Sequence, residues 1–212
     1  MKVLITGATG QLATEFRRYL EKADYYQVIA LNKEKLDISD FNAVSEAISH
    51  YKPAIVLNCA AYNLVDNAEE NSETAFRINA DGIKNLALSC GKHNAFLVHY
   101  STDYVFDGTK EDFYIEDDMP NPINDYGKSK FAGEKFLTEE ADNFLLFRVS
   151  CVFGQGKQNF LYKLSEMAKK NNLIRIVCDQ ISVPTYTEDI VRVTLSAIEK
   201  GVKGIYHLTN SG

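Results

Sequence analysis

Short apolar runs and helical stripes alternate along this chain. Continuously apolar runs, typical of strands covered on both faces, occur at 2–6, 28–31, 54–57, 96–100 and 144–149. Between them, apolar residues recur every three or four positions, which predicts helices over 11–22, 40–50, 75–91 and 126–137. The second of these helices is predicted to be capped by Ser39 and closed off by Pro53. Strands that alternate with helices predict an α/β fold with a parallel sheet.

The alternation changes after residue 149. The pattern there predicts a helix over 160–170, a short strand over 174–177, a helix over 187–200 and a last strand over 204–208. We therefore predict two units, a larger one over 1–149 and a smaller one over 150–212.

Composition narrows the class of protein. The chain has 212 residues, of which 45% are hydrophobic and 25% charged, as in ordinary globular domains. A net charge of −6 argues against a nucleic-acid surface, and no apolar run approaches transmembrane length. The chain enters a strand pattern at once, so we expect no signal peptide. The four cysteines show no metal-ligand spacing, which predicts reduced thiols that pack as small apolar groups in a cytoplasmic protein.

A glycine-containing turn joins the first predicted strand to the first helix. Gly7 and Gly10 permit a tight turn and a close approach of the backbone to a pyrophosphate at the helix N-terminus. Ala13 stands where a third glycine is common, and alanine still permits close helix packing. The position of this turn, between a strand and a helix at the N-terminus, predicts a Rossmann-type, doubly wound dinucleotide-binding fold over 1–149.

The end of the second strand bears on the choice of cofactor. An acidic residue that would hold the adenosine ribose of NAD is replaced by Asn32, followed by Lys33 and Lys35. This favours NADPH, or tolerance of both NADPH and NADH. Solvated loop lysines are an equally good interpretation. Asp37 and Ile38, which follow shortly, are predicted to contact the adenine.

A hydroxyl, a phenol and an ammonium lie within one short stretch. Tyr126 and Lys130 are four residues apart and share one face of the predicted helix, while Thr102 ends the fourth strand. We expect the lysine charge to lower the pKa of Tyr126, so that the phenol exchanges a proton with a substrate oxygen. His99, in an apolar strand, is predicted to be a hydrogen-bonded core residue. Because a Tyr-x-x-x-Lys pair also arises by chance on helices, the prediction depends on the joint order of turn, threonine, tyrosine and lysine.

Together these motifs resemble the extended short-chain dehydrogenase/reductases and, more narrowly, the dTDP-4-dehydrorhamnose reductase family. The runs that carry the resemblance are Gly-Ala-Thr-Gly-Gln-Leu at 7–12, Asn-Cys-Ala-Ala-Tyr at 58–62, Ser-Thr-Asp-Tyr-Val-Phe at 101–106, Tyr-Gly-Lys-Ser-Lys at 126–130 and Gly-Ile-Tyr-His-Leu at 204–208. They cover the whole chain in order. The run at 101–106 is the most specific for this family.

The resemblance implies reduction of the C4 ketone of dTDP-4-dehydro-L-rhamnose by NADPH or NADH, for polysaccharide synthesis. It makes Tyr126 the proton donor, Lys130 a ligand of the nicotinamide ribose, and Thr102 the group that orients the carbonyl. Asp103 lies by the sugar. Further cofactor contacts implied are Gly7, Gly10, Gln11 and Leu12 at the pyrophosphate, Asn32, Asp37 and Ile38 at the adenosine, and Ala61, Tyr62, Asn63 and Tyr100 toward the nicotinamide.

Two departures from the family bear on which sugar the chain accepts as substrate. Cys151 stands where the family often has a tryptophan over the sugar, so the substrate face is expected to be smaller and less aromatic. Family members also continue beyond the position of Gly212, so residues 150–212 are expected to form only part of the substrate lobe. A homodimer is implied, and some members bind Mg²⁺ through glutamates at its interface. Glu15 and Glu188 match those positions, although two exposed helix glutamates are an equal alternative.

Two other functions stay open from the sequence. An epimerase or dehydratase acting on another nucleotide sugar would retain NAD through its cycle. A non-catalytic, cofactor-binding regulatory subunit of the same fold is the other alternative, and the presence of Thr102, Tyr126 and Lys130 argues against it.

Overall fold

A computed structural model describes residues 1–156 and 159–211 of the chain. Its strands are β1 (Lys2–Thr6), β2 (Gln27–Leu31), β3 (Ile55–Asn58), β4 (Phe96–Thr102), β5 (Phe144–Val149), β6 (Val152–Phe153), β7 (Thr185–Tyr186) and β8 (Gly204–His207). Its helices are α1 (Gln11–Leu20), α2 (Phe41–Tyr51), α3 (Val65–Glu70), α4 (Ser72–Phe76), α5 (Gly82–His93), α6 (Asp125–Glu140), α7 (Phe160–Lys170) and α8 (Thr187–Glu199). A π-helical turn, Arg77–Asp81, joins α4 to α5.

Six parallel strands form the main sheet in the order β2-β1-β3-β4-β5-β8. From β1 the chain moves outward to β2 and then returns to β3 on the other side of β1. The strand order therefore reverses at β1 and β3, and ligands of such sheets bind beyond the carboxyl ends of the strands at this point. Thr6 pairs with Asn58, and Asn58 pairs with His99, so these ends lie side by side. The predicted Rossmann-type parallel sheet is confirmed.

Each face of the sheet has its own apolar core. On one face, Leu4, Val56, Leu97 and Leu146 pack with residues of α2, α5 and α6. On the other face, alternate strand residues such as Ile5 pack with residues of α1 and α8. Because both faces are covered, both sets of alternating strand residues must be apolar, which explains the continuous runs in the sequence.

Three local predictions change in the structure. Asp40, not Ser39, caps α2: its carboxylate accepts hydrogen bonds from the backbone N–H groups of Asn42 and Ala43. The strand predicted over 174–177 is wrong, because this segment is irregular, mostly exposed and pairs with no described strand. The helix predicted over 75–91 is present but contains the π-helical turn and ends at His93.

The boundary proposed at residue 149 stays a prediction. Beyond it, β6 pairs with β7 in a separate two-stranded sheet, whereas β8 joins the main sheet beside β5. None of the described helices is long and apolar enough to cross a membrane. The cysteines are free among the described residues, but Cys178 is exposed, so the prediction that each thiol packs as an apolar group is wrong for that residue.

Candidate active site

The first turn of α6 carries the predicted proton donor. The Asn124 side chain caps this helix by accepting a hydrogen bond from the backbone N–H of Gly127. A Cβ atom on Gly127 would lie 2.2 Å from the Tyr104 carbonyl oxygen, so only glycine allows the helix to approach the turn after β4 so closely. The Tyr104 and Tyr126 rings then pack edge to face, with their centroids 5.6 Å apart. This packing brings Tyr126 to the end of β4, beside Thr102.

The predicted effect of Lys130 on the pKa of Tyr126 is wrong. Burial raises the pKa of Tyr126 to about 12, and a hydrogen bond with Thr102 only partly opposes that effect. The Lys130 ammonium is directed elsewhere, because Nζ donates to the Tyr100 carbonyl oxygen at 2.6 Å and lies 3.4 Å from His99 Nε2. A phenol with a raised pKa keeps its proton near neutral pH and can donate it to an oxygen that becomes negative.

Lys130 is itself perturbed by its surroundings. It is 2% exposed, and burial lowers its pKa to about 8, against the opposing effect of Glu134. Glu134 is in turn bound by Arg148 of β5, at 2.8 Å from Nη2. Tyr126 and Lys130 thus share one helix face, as predicted, but Lys130 lies deeper and faces the backbone of β4.

The predicted substrate residues form a small polar group at the ends of β4 and β5. The Thr102 hydroxyl donates to Asp103 Oδ1 at 3.0 Å and accepts from the Tyr104 N–H. Asp103 Oδ2 accepts a hydrogen bond from the hydroxyl of Ser150, a residue to which the sequence assigned no role. Cys151 follows with a backbone φ of 40°, and burial and then Asp103 raise the pKa of its half-buried thiol. The structure therefore brings Thr102, Asp103 and Cys151 together.

Asn79 is a second residue that the sequence analysis missed. Its carboxamide spans the backbone of Tyr62, accepting from the N–H at 2.8 Å and donating to the carbonyl oxygen at 3.0 Å. It also donates to the Ser129 hydroxyl, between Tyr126 and Lys130 on α6. Asn79 lies in the π-helical turn, a distortion often found at functional sites. It fastens the loop after β3 to the helix of the candidate catalytic residues.

The turn after β1 has the geometry of a phosphate site. Gly7 has a φ of +62°, and a Cβ atom there would lie 2.7 Å from the Ala60 nitrogen. The first N–H groups of α1 have no partner within the helix, and its first turn has no acidic residue. Gln11 donates to the Val152 carbonyl, while its buried Oε1 has no partner among the described residues. These features fit the pyrophosphate of a dinucleotide.

The residues predicted to contact the adenosine lie in different surroundings. Asn32 Oδ1 accepts from the Lys35 N–H, and Asp37 Oδ1 accepts two hydrogen bonds from Ser39, which lower the pKa of Asp37 although burial opposes this. Ile38 is 2% exposed, so its side chain belongs to the core.

Tyr100 also differs from its predicted position. Its side chain packs on the α1 and α8 face of the sheet, and its hydroxyl pairs with Thr194 at 2.9 Å. Its backbone carbonyl, which accepts from Lys130, is the part that reaches the site. The half-buried Leu12 lies beside the same core, while Ala61, Tyr62 and the exposed Asn63 lie in the loop next to the Gly7 turn.

The two glutamates that match magnesium ligands are brought together, but by an arginine. Arg18 binds Glu15 Oε1 and, at 3.2 Å, Glu188 Oε2, while the Tyr19 hydroxyl donates to Glu188 Oε1. Glu15 is 3% exposed, so the alternative of two exposed glutamates is wrong for that residue. The guanidinium stands between the carboxylates, and the described residues contain no cluster of three or more His, Cys, Asp or Glu suited to a metal ion. The pair therefore does not fit a cation in this arrangement.

Comparison with known proteins shows which family this chain resembles over its length. The family model described as the RmlD substrate binding domain matches residues 1–212. The spore coat polysaccharide biosynthesis protein SpsK of Bacillus subtilis is 41% identical, over 100% of this chain and 74% of its own length. A dTDP-4-dehydrorhamnose reductase of Aggregatibacter actinomycetemcomitans is 38% identical, over 98% of this chain and 73% of its own length. The crystal structure of the Bacillus anthracis dTDP-4-dehydrorhamnose reductase in complex with NADP superposes with a TM-score of 0.95, at 37% identity, over 100% of this chain and 75% of that chain.

Proposed function

This chain belongs to the RmlD family of dTDP-4-dehydrorhamnose reductases, which are NAD(P)H-dependent oxidoreductases, and we propose that it reduces the C4 ketone of dTDP-4-dehydro-L-rhamnose through Tyr126, Thr102 and Lys130. The product is dTDP-L-rhamnose, a precursor of polysaccharides. The observation that carries the proposed roles is the buried Tyr126 phenol, which keeps its proton and lies beside Thr102 at the carboxyl edge of the sheet.

The nicotinamide supplies a hydride to the carbonyl carbon when the dinucleotide is bound. The Tyr126 hydroxyl transfers its proton to the carbonyl oxygen, so that ketone, hydride and proton together give the alcohol. The Thr102 hydroxyl orients that oxygen by a hydrogen bond. The hydroxyl here donates its one hydrogen to Asp103 Oδ1, so this role requires the hydrogen to turn from Asp103 to the carbonyl oxygen when the substrate binds.

The binding roles follow from the turn after β1 and the loop after β3. The free N–H groups at the start of α1, with Gly7, Gly10 and Gln11, would hold the pyrophosphate. The loop of Ala61 to Asn63 would line the path toward the nicotinamide, because Asn79 ties it to α6. NADPH is the preferred cofactor in this proposal, since Lys33 and Lys35 are exposed beside the end of β2 and can attract a 2′-phosphate.

We also propose a cytoplasmic homodimer, as the sequence resemblance implies. Relatives named as a spore coat polysaccharide biosynthesis protein and as a dTDP-4-dehydrorhamnose reductase support the location. Sedimentation of the purified chain tests the dimer, and a monomer at working concentration would contradict it.

The test of the function is turnover of the purified protein with dTDP-4-dehydro-L-rhamnose and NADPH, followed by loss of the reduced-nicotinamide absorbance. Tyr126→Phe should abolish turnover and leave NADPH binding intact. Tyr25→Phe is a matched control. Tyr25 is 62% exposed and lies just before β2, at the amino end of that strand, whereas Tyr126 lies at the carboxyl ends of the strands.

Each alternative predicts a different result. Tightly bound NAD that copurifies, without net ketone reduction, would indicate an epimerase or dehydratase. A stable complex with a larger enzyme, again without reduction, would indicate a regulatory subunit. Equal turnover of Tyr126→Phe and wild type would contradict the role of Tyr126.

A further inference from the structure

One side chain joins the cofactor turn to the segment expected at the sugar. Gln11 is the first residue of α1, and its Nε2 donates to the Val152 carbonyl oxygen at 3.2 Å, across 141 positions of the chain. Val152 lies in β6 and directly follows Cys151, which is expected to face the sugar. In the part of the chain that the structure describes, no other side-chain hydrogen bond runs from α1 to β6 or β7. The proposed reaction assigns no role to this contact.

The direction of the Gln11 amide follows from this contact. A carbonyl oxygen can only accept, so Nε2 faces Val152, because a turned amide would place two acceptors 3.2 Å apart. The Oε1 atom is buried and finds no donor among the described residues. Gln11 therefore reaches Val152 in a position where a buried acceptor still needs a donor, which is unfavourable.

The Gln11 carboxamide thus has two competing arrangements. In the inward arrangement, which is the one observed, Nε2 holds Val152 while Oε1 still needs a donor. In an outward arrangement, both ends of the amide would reach water and the bond to Val152 would be lost. Each arrangement gives up one favourable hydrogen bond, so neither is strongly preferred. A ligand that donates to Oε1 stabilises the inward arrangement alone and shifts the population toward it.

We propose that Gln11 is a positioning residue through which a bound dinucleotide fixes β6. This inference rests on the proposed function, which places the pyrophosphate at the start of α1 and so brings a ligand with ribose hydroxyls to Gln11. A hydroxyl is a donor that can satisfy Oε1. The bound dinucleotide then holds the carboxamide inward, with Nε2 on Val152.

The segment that Gln11 fixes has an unfavourable backbone conformation. Cys151 has a φ of 40°, a region that few non-glycine residues adopt, and such a conformation persists only where contacts hold it. From the substrate side, the Thr185 N–H donates to the Cys151 carbonyl oxygen at 3.2 Å. From the cofactor side, Gln11 holds the next residue, Val152. A fixed Cys151 backbone should bind the sugar nucleotide more tightly, and by linkage the sugar nucleotide then strengthens dinucleotide binding by the same factor.

The direct test is hydrogen exchange of the Thr185 amide, observed by NMR with and without NADP⁺. This amide bonds to the Cys151 carbonyl oxygen, so its exchange reports how firmly the β6 segment is held. The net contribution of one hydrogen bond corresponds to a factor of about 2 to 10 in an equilibrium constant. In the wild type, NADP⁺ should therefore slow the exchange of Thr185 about 2- to 10-fold. No slowing in the wild type would overturn the inference.

A matched pair of variants separates this effect from general stabilisation by a ligand. Gln11→Met keeps the length of the side chain and removes both the donor and the acceptor, so NADP⁺ should no longer slow Thr185 selectively. Gln27→Met makes the same change at an exposed residue at the start of β2 and should behave as the wild type. Each protein is measured at the same multiple of its own Kd for NADP⁺, so that general stabilisation is equal. Equal slowing in Gln11→Met and in the wild type would overturn the inference, and Gln11→Ala provides the same comparison if Gln11→Met does not fold.

Hydrogen exchange does not depend on turnover. Slowing of Thr185 by NADP⁺ that is lost in Gln11→Met, without any ketone reduction, would reject the proposed function and retain this inference. Ketone reduction without slowing of Thr185 would do the reverse. If both hold, Gln11→Met at saturating NADPH should raise the KM of the sugar nucleotide about 2- to 10-fold and leave kcat nearly unchanged. A fall in kcat with an unchanged KM would contradict the positioning role.

Discussion

Removal of Arg148 should destabilise the protein strongly, because its partner would be left charged in the core. The side chains of Arg148 and Glu134 are 5% and 2% exposed, and the guanidinium Nε and Nη2 bind both carboxylate oxygens at 2.8–3.2 Å. Breaking one partner of such a buried pair costs about 3–5 kcal/mol. Arg148 also lies over the Phe106 ring, 5.1 Å from its centroid. Arg148→Met keeps much of this apolar contact, so we expect a loss near 3–5 kcal/mol, mainly from the unpaired carboxylate.

Urea unfolding followed by circular dichroism measures this loss, and a double variant separates its causes. Arg148→Met with Glu134→Leu should recover most of the lost free energy, because the carboxylate that Arg148 paired is removed together with it. Lys169→Met is the control: its pair with Glu166 is exposed, and such pairs contribute about 0–1 kcal/mol. A loss below about 1 kcal/mol in Arg148→Met, or a double variant no more stable than the single one, would refute the reasoning.

Three further predictions concern the cofactor turn, a helix cap and pH. Gly7→Ala should weaken NADPH binding, because the residue has a φ of +62° and the new Cβ would lie 2.7 Å from the Ala60 nitrogen; an unchanged Kd by titration calorimetry would contradict this. Asp40→Ala should cost about 1 kcal/mol in thermal unfolding and more than Ser39→Ala, since Asp40 forms the cap. Burial lowers the pKa of Lys130 from 10.5 to about 8, so the unfolded chain binds more protons there between these values. Stability relative to Lys130→Met should therefore rise with pH across that range, and a fall in urea-unfolding series would contradict the sign.

Much of the site could be predicted from the sequence because its parts are local. Tyr126 and Lys130 share a helix face by their spacing alone, and the Gly7 turn is recognisable between its strand and helix. Asn79 and Ser150 gave no such signal. Asn79 acts on Tyr62 and Ser129, 17 and 50 residues away in the chain, and nothing in the neighbouring residues indicates those partners.

The sequence by itself determined the order of the strands of the main sheet and of the longer helices between them, because apolar periodicity reflects which faces each element buries. It also determined the family, because the motif runs lie in fixed order along the chain. Only the tertiary structure decided the charges of the site. The pKa of Tyr126 depends on how deeply packing buries it, and that of Lys130 on burial as well. Asn58 and His99 come into line with Lys130 only because β3 and β4 pair in register and α6 packs across them. Burial and contacts between distant segments are properties of the folded chain, so a pattern of neighbouring residues indicates which groups are present but not which of them carry a proton.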